Sequence, residues 1–200
     1  MIASTPPALP GQRIGLLGGS FDPPHAGHVH ISRWALRALG LDRVWWLVSP
    51  GNPLKENGPA PIERRLEACQ AIIENRRIAV SDVERYLGSP YTADTLAWLT
   101  KRHPGVRFVW LMGADNLADF HRWARWRWIM GRFDIAVFAR PGEQIPAGLS
   151  PAARTFARQR LPGTAAAILG HGVRRGRWAM LTGPMSDLSS TRLRNKGVWK

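Results

Sequence analysis

The sequence has little cysteine and no long apolar run. Cys69 is its only cysteine, so neither an internal disulfide nor a cysteine-based zinc site can form within the chain. No window reaches the eighteen or more apolar residues of a membrane-spanning helix. The first residues lack the basic start and the apolar run of a secretion signal. These absences predict a cytoplasmic protein without a membrane span.

Acidic residues are also scarce, with 14 Asp and Glu against 28 Lys and Arg, which gives a net charge of +14. Such a balance indicates an anionic partner, either a nucleic acid or a small phosphate-bearing substrate. The arginines are scattered, however, and no nucleic-acid-binding motif of known spacing is present. A basic nucleic-acid-binding module is therefore an alternative that depends mainly on charge.

The segment HRWARWRWIMGR, residues 121–132, has two interpretations. Interleaved arginine and tryptophan are typical of a surface that binds single-stranded nucleic acid. At helical spacing, however, Trp123, Trp126 and Met130 fall on one stripe, which predicts a core-facing helix with arginines along its flanks. We expect the core-facing helix.

Short apolar runs alternate with longer segments of helical periodicity, which indicates a mainly parallel sheet with helices on both faces. We predict a doubly wound α/β domain over residues 13–200, after a flexible, proline-rich tail at residues 1–12. The predicted strands are 13–18, 43–49, 77–82, 106–113, 133–139 and 178–182, and the predicted helices begin near Ala26, Pro61, Thr92 and Asn116, with a last helix over 189–196. From Gly142 to Arg177 the pattern is too weak to assign a helix or strand. This segment has two possible interpretations, an insertion or a mobile flap.

The segment GLLGGSFDPPHAGH, residues 15–28, joins the first predicted strand to a helix. In open α/β sheets ligands bind at the carboxyl ends of the strands, so this loop is a candidate site. Gly18 and Gly19 would let a ligand approach the backbone closely. The helix start offers N–H groups that attract phosphate, and His25 and His28 would lie on one face of its first turn.

This loop departs from the well-known phosphate-binding motifs. It lacks the Lys-Ser/Thr end of a P-loop and is not G-x-G-x-x-G, so neither a P-loop NTPase nor a dinucleotide-binding dehydrogenase is predicted. Zinc is disfavoured, because His25, His28 and His30 cannot share one helix face and no acidic residue follows nearby. We therefore expect no protein metal site, and we expect the histidine pair to bind phosphate rather than to lie on the surface without a role.

Several motifs in the same order resemble those of the HxGH nucleotidyltransferases, and among them the bacterial nicotinate-nucleotide adenylyltransferases. They are GGSFDPPHAGH, SPGNPLK, GSPYTADTL, GADNLADFHRW, ARPG and LSSTRLR, and the match extends from Arg13 to about Lys196. Three positions depart from the family pattern: Ser20 stands where threonine is common, Leu54 where a histidine often precedes the lysine, and Leu188 where isoleucine is usual.

The resemblance implies a Rossmann-like fold and the transfer of AMP from ATP to nicotinate mononucleotide in NAD biosynthesis, with Mg²⁺ held mainly by the ATP phosphates. The catalytic residues it implies are His25, His28, Lys55 and Arg192. The ATP-binding residues are Gly18, Gly19, Ser20, Phe21, Ser189, Ser190 and Thr191. The mononucleotide-binding residues are Asp22, Tyr91, Thr92, Gly113, Asp115, Trp123 and Arg140. Another acceptor, nicotinamide mononucleotide or phosphopantetheine, is the nearest alternative.

The residue chemistry agrees with this expectation. A substrate phosphate is already an anion at neutral pH, so the reaction needs positioning and charge neutralisation rather than an activated side-chain nucleophile. The resemblance implies that the carboxylate of a nicotinate ring meets the backbone N–H groups of Tyr91 and Thr92, and that Trp123 stacks on that ring. The helix predicted to start at Thr92 would offer free N–H donors and a favourable dipole to this carboxylate. Each residue also has a simpler interpretation: Lys55 and Arg192 as solvated cations, and Thr92, Asp115 and Ser189 as helix caps.

Overall fold

The structure is a computed structural model of the 200-residue chain, and it describes residues 5–51, 58–139, 147–172, 175–183 and 199. Lys55, Arg140 and residues 189–192 lie outside these residues, as does the predicted helix over 189–196. Among the described residues, no helix is both long enough and apolar enough to cross a bilayer.

The described residues build one seven-stranded sheet in which every strand pair is parallel. Its strands are β1 Arg13–Gly19, β2 Arg43–Val48, β3 Ile78–Ser81, β4 Arg107–Gly113, β5 Asp134–Phe138, β6 Arg160–Leu161 and β7 Trp178–Leu181. Their order across the sheet is β3-β2-β1-β4-β5-β7-β6. The chain starts at the centre and moves outward on one side and then on the other, which confirms the doubly wound, Rossmann-like α/β class.

Side chains of the central strands alternate between two apolar clusters, one on each face of the sheet. From β4, Phe108 and Trp110 enter one cluster, whereas Val109 and Leu111 enter the other. A strand buried on both faces needs apolar residues at every position, which explains the continuous apolar runs in the sequence.

Helices cover both faces. They are α1 Ala26–Ala38, α2 Ile62–Ile72, α3 Thr92–Arg102, α4 Ala114–Asp119, α5 Trp126–Arg132 and α6 Pro151–Thr155. Buried residues of α1 and α2, such as Leu36 and Cys69, join one cluster, and those of α3 and α5, such as Leu96 and Ile129, join the other. The predicted starts at Ala26, Pro61 and Thr92 are confirmed to within one residue.

Two predictions for residues 113–132 need correction. Helix α4 begins at Ala114, two residues before the predicted start at Asn116. Gly113 is therefore its N-cap, and Asp115 lies in its first turn. The segment 121–132 is not one helix, because Arg125 has a left-handed φ of 57° between a 3-10 turn at Phe120–Arg122 and α5. Trp126 and Met130 are core residues as predicted, but this break removes Trp123 from their stripe.

The region with a weak sequence pattern is part of the folded body where the structure describes it. Ser150 caps α6 by accepting a hydrogen bond from the Ala153 N–H, and Ala152 and Ala153 are buried. The two-residue strand β6 pairs with β7. Such short elements give no detectable periodicity, which is why the sequence did not predict them.

The predicted N-terminal tail is described from Thr5 onward. The Thr5 hydroxyl lies 2.8 Å from His103 Nε2, and the Gly11 N–H donates to the Gly105 carbonyl at 2.9 Å. These residues therefore contact the turn before β4, and the division into a flexible tail and one domain stays a prediction.

A polar cluster closes the amino end of the sheet. Asp134, at the start of β5, is 4% exposed and accepts hydrogen bonds from the Gly170 N–H at 2.8 Å and from Arg177 Nη2 at 2.7 Å. Arg177 also donates to the carbonyls of Ile168 and His171. This buried ion pair lies at the edge opposite to the one where ligands bind in such sheets.

Candidate active site at the carboxyl edge of the sheet

The two predicted histidines meet at the start of α1. His25 is the N-cap, and its Nδ1 accepts a hydrogen bond from the Gly27 N–H at 3.1 Å. In return, His28 Nδ1 accepts from the His25 N–H at 3.2 Å, which completes a reciprocal capping box. The ring centroids are 3.9 Å apart. The structure thus brings the pair together at a helix N-terminus after β1, as the sequence predicted.

These caps decide which ring nitrogen of each histidine can donate. A neutral imidazole that accepts at Nδ1 carries its proton at Nε2. Both side chains therefore present Nε2–H groups, which suit the oxygens of a phosphate. Because two histidines replace the usual serine or aspartate cap, the same residues stabilise the helix and supply the donors.

The aromatic rings of Phe21 and Trp46 pack against the His28 ring. The Phe21 ring is 1% exposed and lies 4.7 Å from the His28 ring and 4.9 Å from the Trp46 ring, onto which it stacks. Trp46 Nε1 donates to Ser32 Oγ at 2.7 Å, and Ser32 Oγ donates to the His28 carbonyl at 2.8 Å. The Phe21 side chain is therefore a buried support of His28, and its part in ATP binding stays a prediction.

The two glycines before this loop differ in their surroundings. A Cβ on Gly18 would overlap the Trp110 indole, whereas a Cβ on Gly19 would lie 3.5 Å from Phe21, an ordinary contact. Neither glycine has a positive φ, and Phe21 instead takes the left-handed backbone with φ 48°. Packing against Trp110 therefore explains why position 18 needs glycine. At Gly19, where a Cβ would fit, the predicted close approach of a ligand to the backbone is the remaining explanation.

Asp22 is nearly buried, at 7% exposure. Its Oδ1 accepts a hydrogen bond from Trp199 Nε1 at 2.7 Å and a longer one from the Ala60 N–H at 3.4 Å. Arg64 in turn lies over the Trp199 ring, 4.1 Å from its centre. These contacts give Asp22 a structural task in addition to the predicted mononucleotide binding, which stays a prediction.

The predicted mononucleotide side is built on the start of α3. Tyr91 is the N-cap and Thr92 the first helical residue. The Tyr91 N–H donates to Ser89 Oγ at 3.3 Å, so it is already engaged, whereas no described residue accepts from the Thr92 N–H. Because α3 is a full helix, its dipole favours an anion at this end.

Asp94 links this helix start to the segment that carries Trp123. Its Oδ2 accepts from Ser89 Oγ at 2.6 Å, and its Oδ1 accepts from Arg125 Nη1 at 3.0 Å. Trp123 is partly buried, with its ring 5.0 Å from Phe120 and 6.3 Å from Trp110. Sequence reasoning missed this link, since an aspartate and an arginine 31 residues apart give no local signal.

Arg65 is a second residue that the sequence did not single out. It lies in α2 at 1% exposure, and its guanidinium donates to backbone carbonyls of both the β1 loop and the β2 loop. One of 28 basic residues in an amphipathic helix gives no sign of such burial. Of the other predicted residues, Asp115 is exposed on α4 and Ser20 follows β1, while Lys55, Arg140 and 189–192 lie outside the described residues.

Within the ranges that the structure describes, no three His, Cys, Asp or Glu side chains group together as a metal site. Magnesium at nucleotide sites is held largely by phosphates and water, with few protein ligands. The histidine pair, which would contact phosphate oxygens rather than the ion, fits that kind of binding.

The chain is similar to known proteins over nearly its whole length. A family model described as cytidylyltransferase-like matches residues 16–196. A relative from Ruegeria pomeroyi, named "Probable nicotinate-nucleotide adenylyltransferase", is 56% identical over 97% of this chain and 91% of its own. A second relative of that name, from Roseobacter denitrificans, is 54% identical over 97% of both chains.

The chain belongs to the cytidylyltransferase-like nucleotidyltransferases. This membership confirms the resemblance found in the motifs, including the enzyme class. A solved structure, a nicotinic acid mononucleotide adenylyltransferase of Plasmodium falciparum complexed with NaAD, covers 92% of this chain and 83% of its own, with a TM-score of 0.69 and 17% identity. At that identity the likeness shows the shared fold.

Proposed function

We propose that this chain is a nicotinate-nucleotide adenylyltransferase, which transfers AMP from ATP to nicotinate mononucleotide and forms nicotinate adenine dinucleotide and pyrophosphate. The observation that carries the proposal is the histidine pair, which the capping box sets at the start of α1 with both Nδ1 atoms engaged. Relatives over 50% identical along nearly the whole chain carry the same activity in their names.

In this reaction an oxygen of the mononucleotide phosphate bonds to the α-phosphorus of ATP, and the bond from that phosphorus to the bridging oxygen breaks. Negative charge then develops on the α-phosphate and on the leaving pyrophosphate. The Nε2–H groups of His25 and His28 would donate to these oxygens from fixed positions, so little reorganisation is needed. Mg²⁺, when bound with ATP, neutralises charge on the triphosphate.

The acid form of the pyridine substrate is favoured by the start of α3. A nicotinate carboxylate would accept from the Thr92 N–H and benefit from the helix dipole, whereas a carboxamide would gain less. A charge-assisted hydrogen bond contributes about 1.5–3 kcal/mol, which corresponds to a preference of roughly tenfold or more in kcat/KM. Trp123, partly exposed beside this helix, would stack on the ring whichever substituent it carries.

Of the two features that favour a nucleic-acid-binding role, net charge and the arginine-tryptophan segment 121–132, the segment has another explanation in the structure. Trp126 is buried, and Arg125 is held by Asp94 at 3.0 Å while its guanidinium lies 4.8 Å from the centre of the Trp128 ring. Within this segment, Arg125 and Arg127 therefore lie over the Trp128 and Trp126 rings, and Trp126 packs in the core. Nonspecific binding to a polymer would in any case weaken steeply as salt rises.

The proposal is tested with purified protein, ATP and Mg²⁺ by following pyrophosphate release with a panel of acceptors. We expect turnover with nicotinate mononucleotide, weaker turnover with nicotinamide mononucleotide, and none with phosphopantetheine. Equal kcat/KM for acid and amide would contradict the carboxylate site at α3. Turnover with phosphopantetheine in place of both pyridines would contradict the proposed substrate.

A further inference from the structure

Arg65 lies beneath the point where the candidate site is assembled. It belongs to the first turns of α2, and its side chain is 1% exposed. The strands β1 and β2 are neighbours in the sheet, and the Ser49 N–H donates to the Gly19 carbonyl at 2.9 Å just beyond the last residue of β2. The loops that leave these two strands carry the GGSFDPPHAGH and SPGNPLK motifs.

The guanidinium of Arg65 joins these loops. Its Nη1 donates to the Ser20 carbonyl at 2.6 Å and to the Ser49 carbonyl at 2.7 Å. Its Nη2 lies 3.4 Å from the Pro50 carbonyl, and its Nε donates to the Ala60 carbonyl at 2.7 Å. One planar group therefore fixes Ser20 after β1, Ser49 and Pro50 after β2, and Ala60 before α2 relative to one another.

Burying this cation is costly. All of its hydrogen bonds within the described part of the chain go to neutral carbonyls, and burial lowers the pKa of the Arg65 guanidinium, an effect that the Asp22 carboxylate partly offsets. A well-packed apolar residue would avoid this desolvation cost. An arginine at this place is explained by what it does to the loops above it.

We propose that Arg65 is a positioning residue for adenylyl transfer, which sets the distance between the histidine-bearing β1 loop and the β2 loop. This inference rests on the proposed function for its kinetic test. Arginine suits the task because three nitrogens of a rigid plane donate in different directions. Lysine keeps the charge but donates from a single atom, so it cannot reach the Ala60 carbonyl on one side and both loop carbonyls on the other.

The experiment compares Arg65→Lys with wild type and with a matched control. The control is Arg177→Lys, because Arg177 is also a mostly buried arginine that donates to loop carbonyls but lies at the opposite edge of the sheet. Arg65→Met, which removes the charge as well, is a further variant, and it leaves four carbonyls without their donor. Thermal unfolding of each variant is measured first.

For Arg65→Lys we expect folded protein in which kcat falls by up to about a hundredfold, the size that a misplacement near 1 Å can reach. The Kd for a non-hydrolysable ATP analogue should rise by about tenfold, which corresponds to about 1.4 kcal/mol. The KM for nicotinate mononucleotide should change less than the Kd for the ATP analogue, because Arg65 contacts none of the α3 residues and acts on Asp22 only through Ala60 and through its charge, which lysine keeps. Arg177→Lys should lower Tm to a similar degree and leave all three quantities unchanged.

Wild-type kcat and wild-type ATP-analogue affinity in Arg65→Lys would overturn the proposal, as would equal effects in Arg65→Lys and Arg177→Lys. An Arg65→Lys protein that does not fold would also overturn it, because Arg65 would then serve the fold alone. Calorimetric affinity for the ATP analogue needs no turnover. If wild type binds the analogue but adenylates no mononucleotide, the proposed function fails while the effect of Arg65 on ATP binding is still measured.

Discussion

Replacing Gly18 with alanine separates packing from ligand binding in the first loop. The new Cβ would lie 2.9 Å from Trp110 Cζ2 and closer still to the neighbouring ring carbon. Trp110 is 1% exposed and packed on every side, so its indole has little room to move. Overpacking of this kind costs about 1–3 kcal/mol. For a chain of this size, each kcal/mol lowers Tm by about 2–4 °C, so we expect a decrease of roughly 2–12 °C.

Gly19→Ala is the matched control. Its Cβ would lie 3.5 Å from Phe21, and its backbone does not need a positive φ, so alanine fits. Such a replacement stabilises a protein by about 0.4–1 kcal/mol, since alanine restricts the unfolded chain. If ATP approaches the backbone here, Gly19→Ala should nevertheless raise the KM for ATP. The assay is thermal or urea unfolding of both variants, together with ATP kinetics.

Unfolding of Gly18→Ala at the wild-type temperature would contradict this prediction, because the Trp110 contact would then not constrain the loop. An unchanged KM for ATP in Gly19→Ala would remove Gly19 from the ATP site. A loss of stability in Gly19→Ala as large as that in Gly18→Ala would show that the two positions are not distinguished by their packing.

Three further substitutions test the site and its surroundings. His28→Ala should lower kcat by about a hundred- to a thousandfold through loss of a preorganised donor, and near-normal kcat in folded protein would contradict its catalytic role. Trp123→Ala should raise the KM for both pyridine mononucleotides, because stacking does not depend on the carboxylate; unchanged KM values would leave Trp123 with its packing role against Phe120 and Trp110. Glu84 lies in the 3-10 turn Val83–Tyr86 after β3, and burial raises the pKa of its carboxyl from 4.5 to about 7. The unfolding free energy should therefore fall as pH rises from about 4.5 to 7. Glu84→Gln should reduce this decline in urea unfolding measured at several pH values, and an equal decline in the variant would show that Glu84 is not its source.

The sheet and the main helices were predictable because each leaves a local pattern in the sequence. A strand that is buried on both faces is apolar at nearly every position. Runs such as VRFVWLMG are apolar at successive positions, and the helix starts at Ala26 and Thr92 follow loops rich in glycine and proline. The histidine pair was predictable for a related reason, since a spacing of three residues at a helix start brings side chains together.

Other features depend on contacts between distant residues and leave no local pattern. The left-handed residue Arg125 interrupts an otherwise helical stripe, and nothing in its residue type signals a positive φ. The two-residue strand β6 forms by pairing with the edge of β7, a contact between segments distant in sequence. Arg65 and Asp94 act on segments far away in sequence, so their tasks emerge only when the loops are brought together.

The most direct measurement of the central claim follows a labelled phosphorus through the reaction. The protein is incubated with nicotinate mononucleotide, Mg²⁺ and ATP labelled at either the α- or the γ-phosphorus, and the products are separated. We expect the α-label in nicotinate adenine dinucleotide and the γ-label in pyrophosphate, in equal amounts. An α-label that stays in AMP or ADP, or a γ-label released as free phosphate, would contradict adenylyl transfer by this chain.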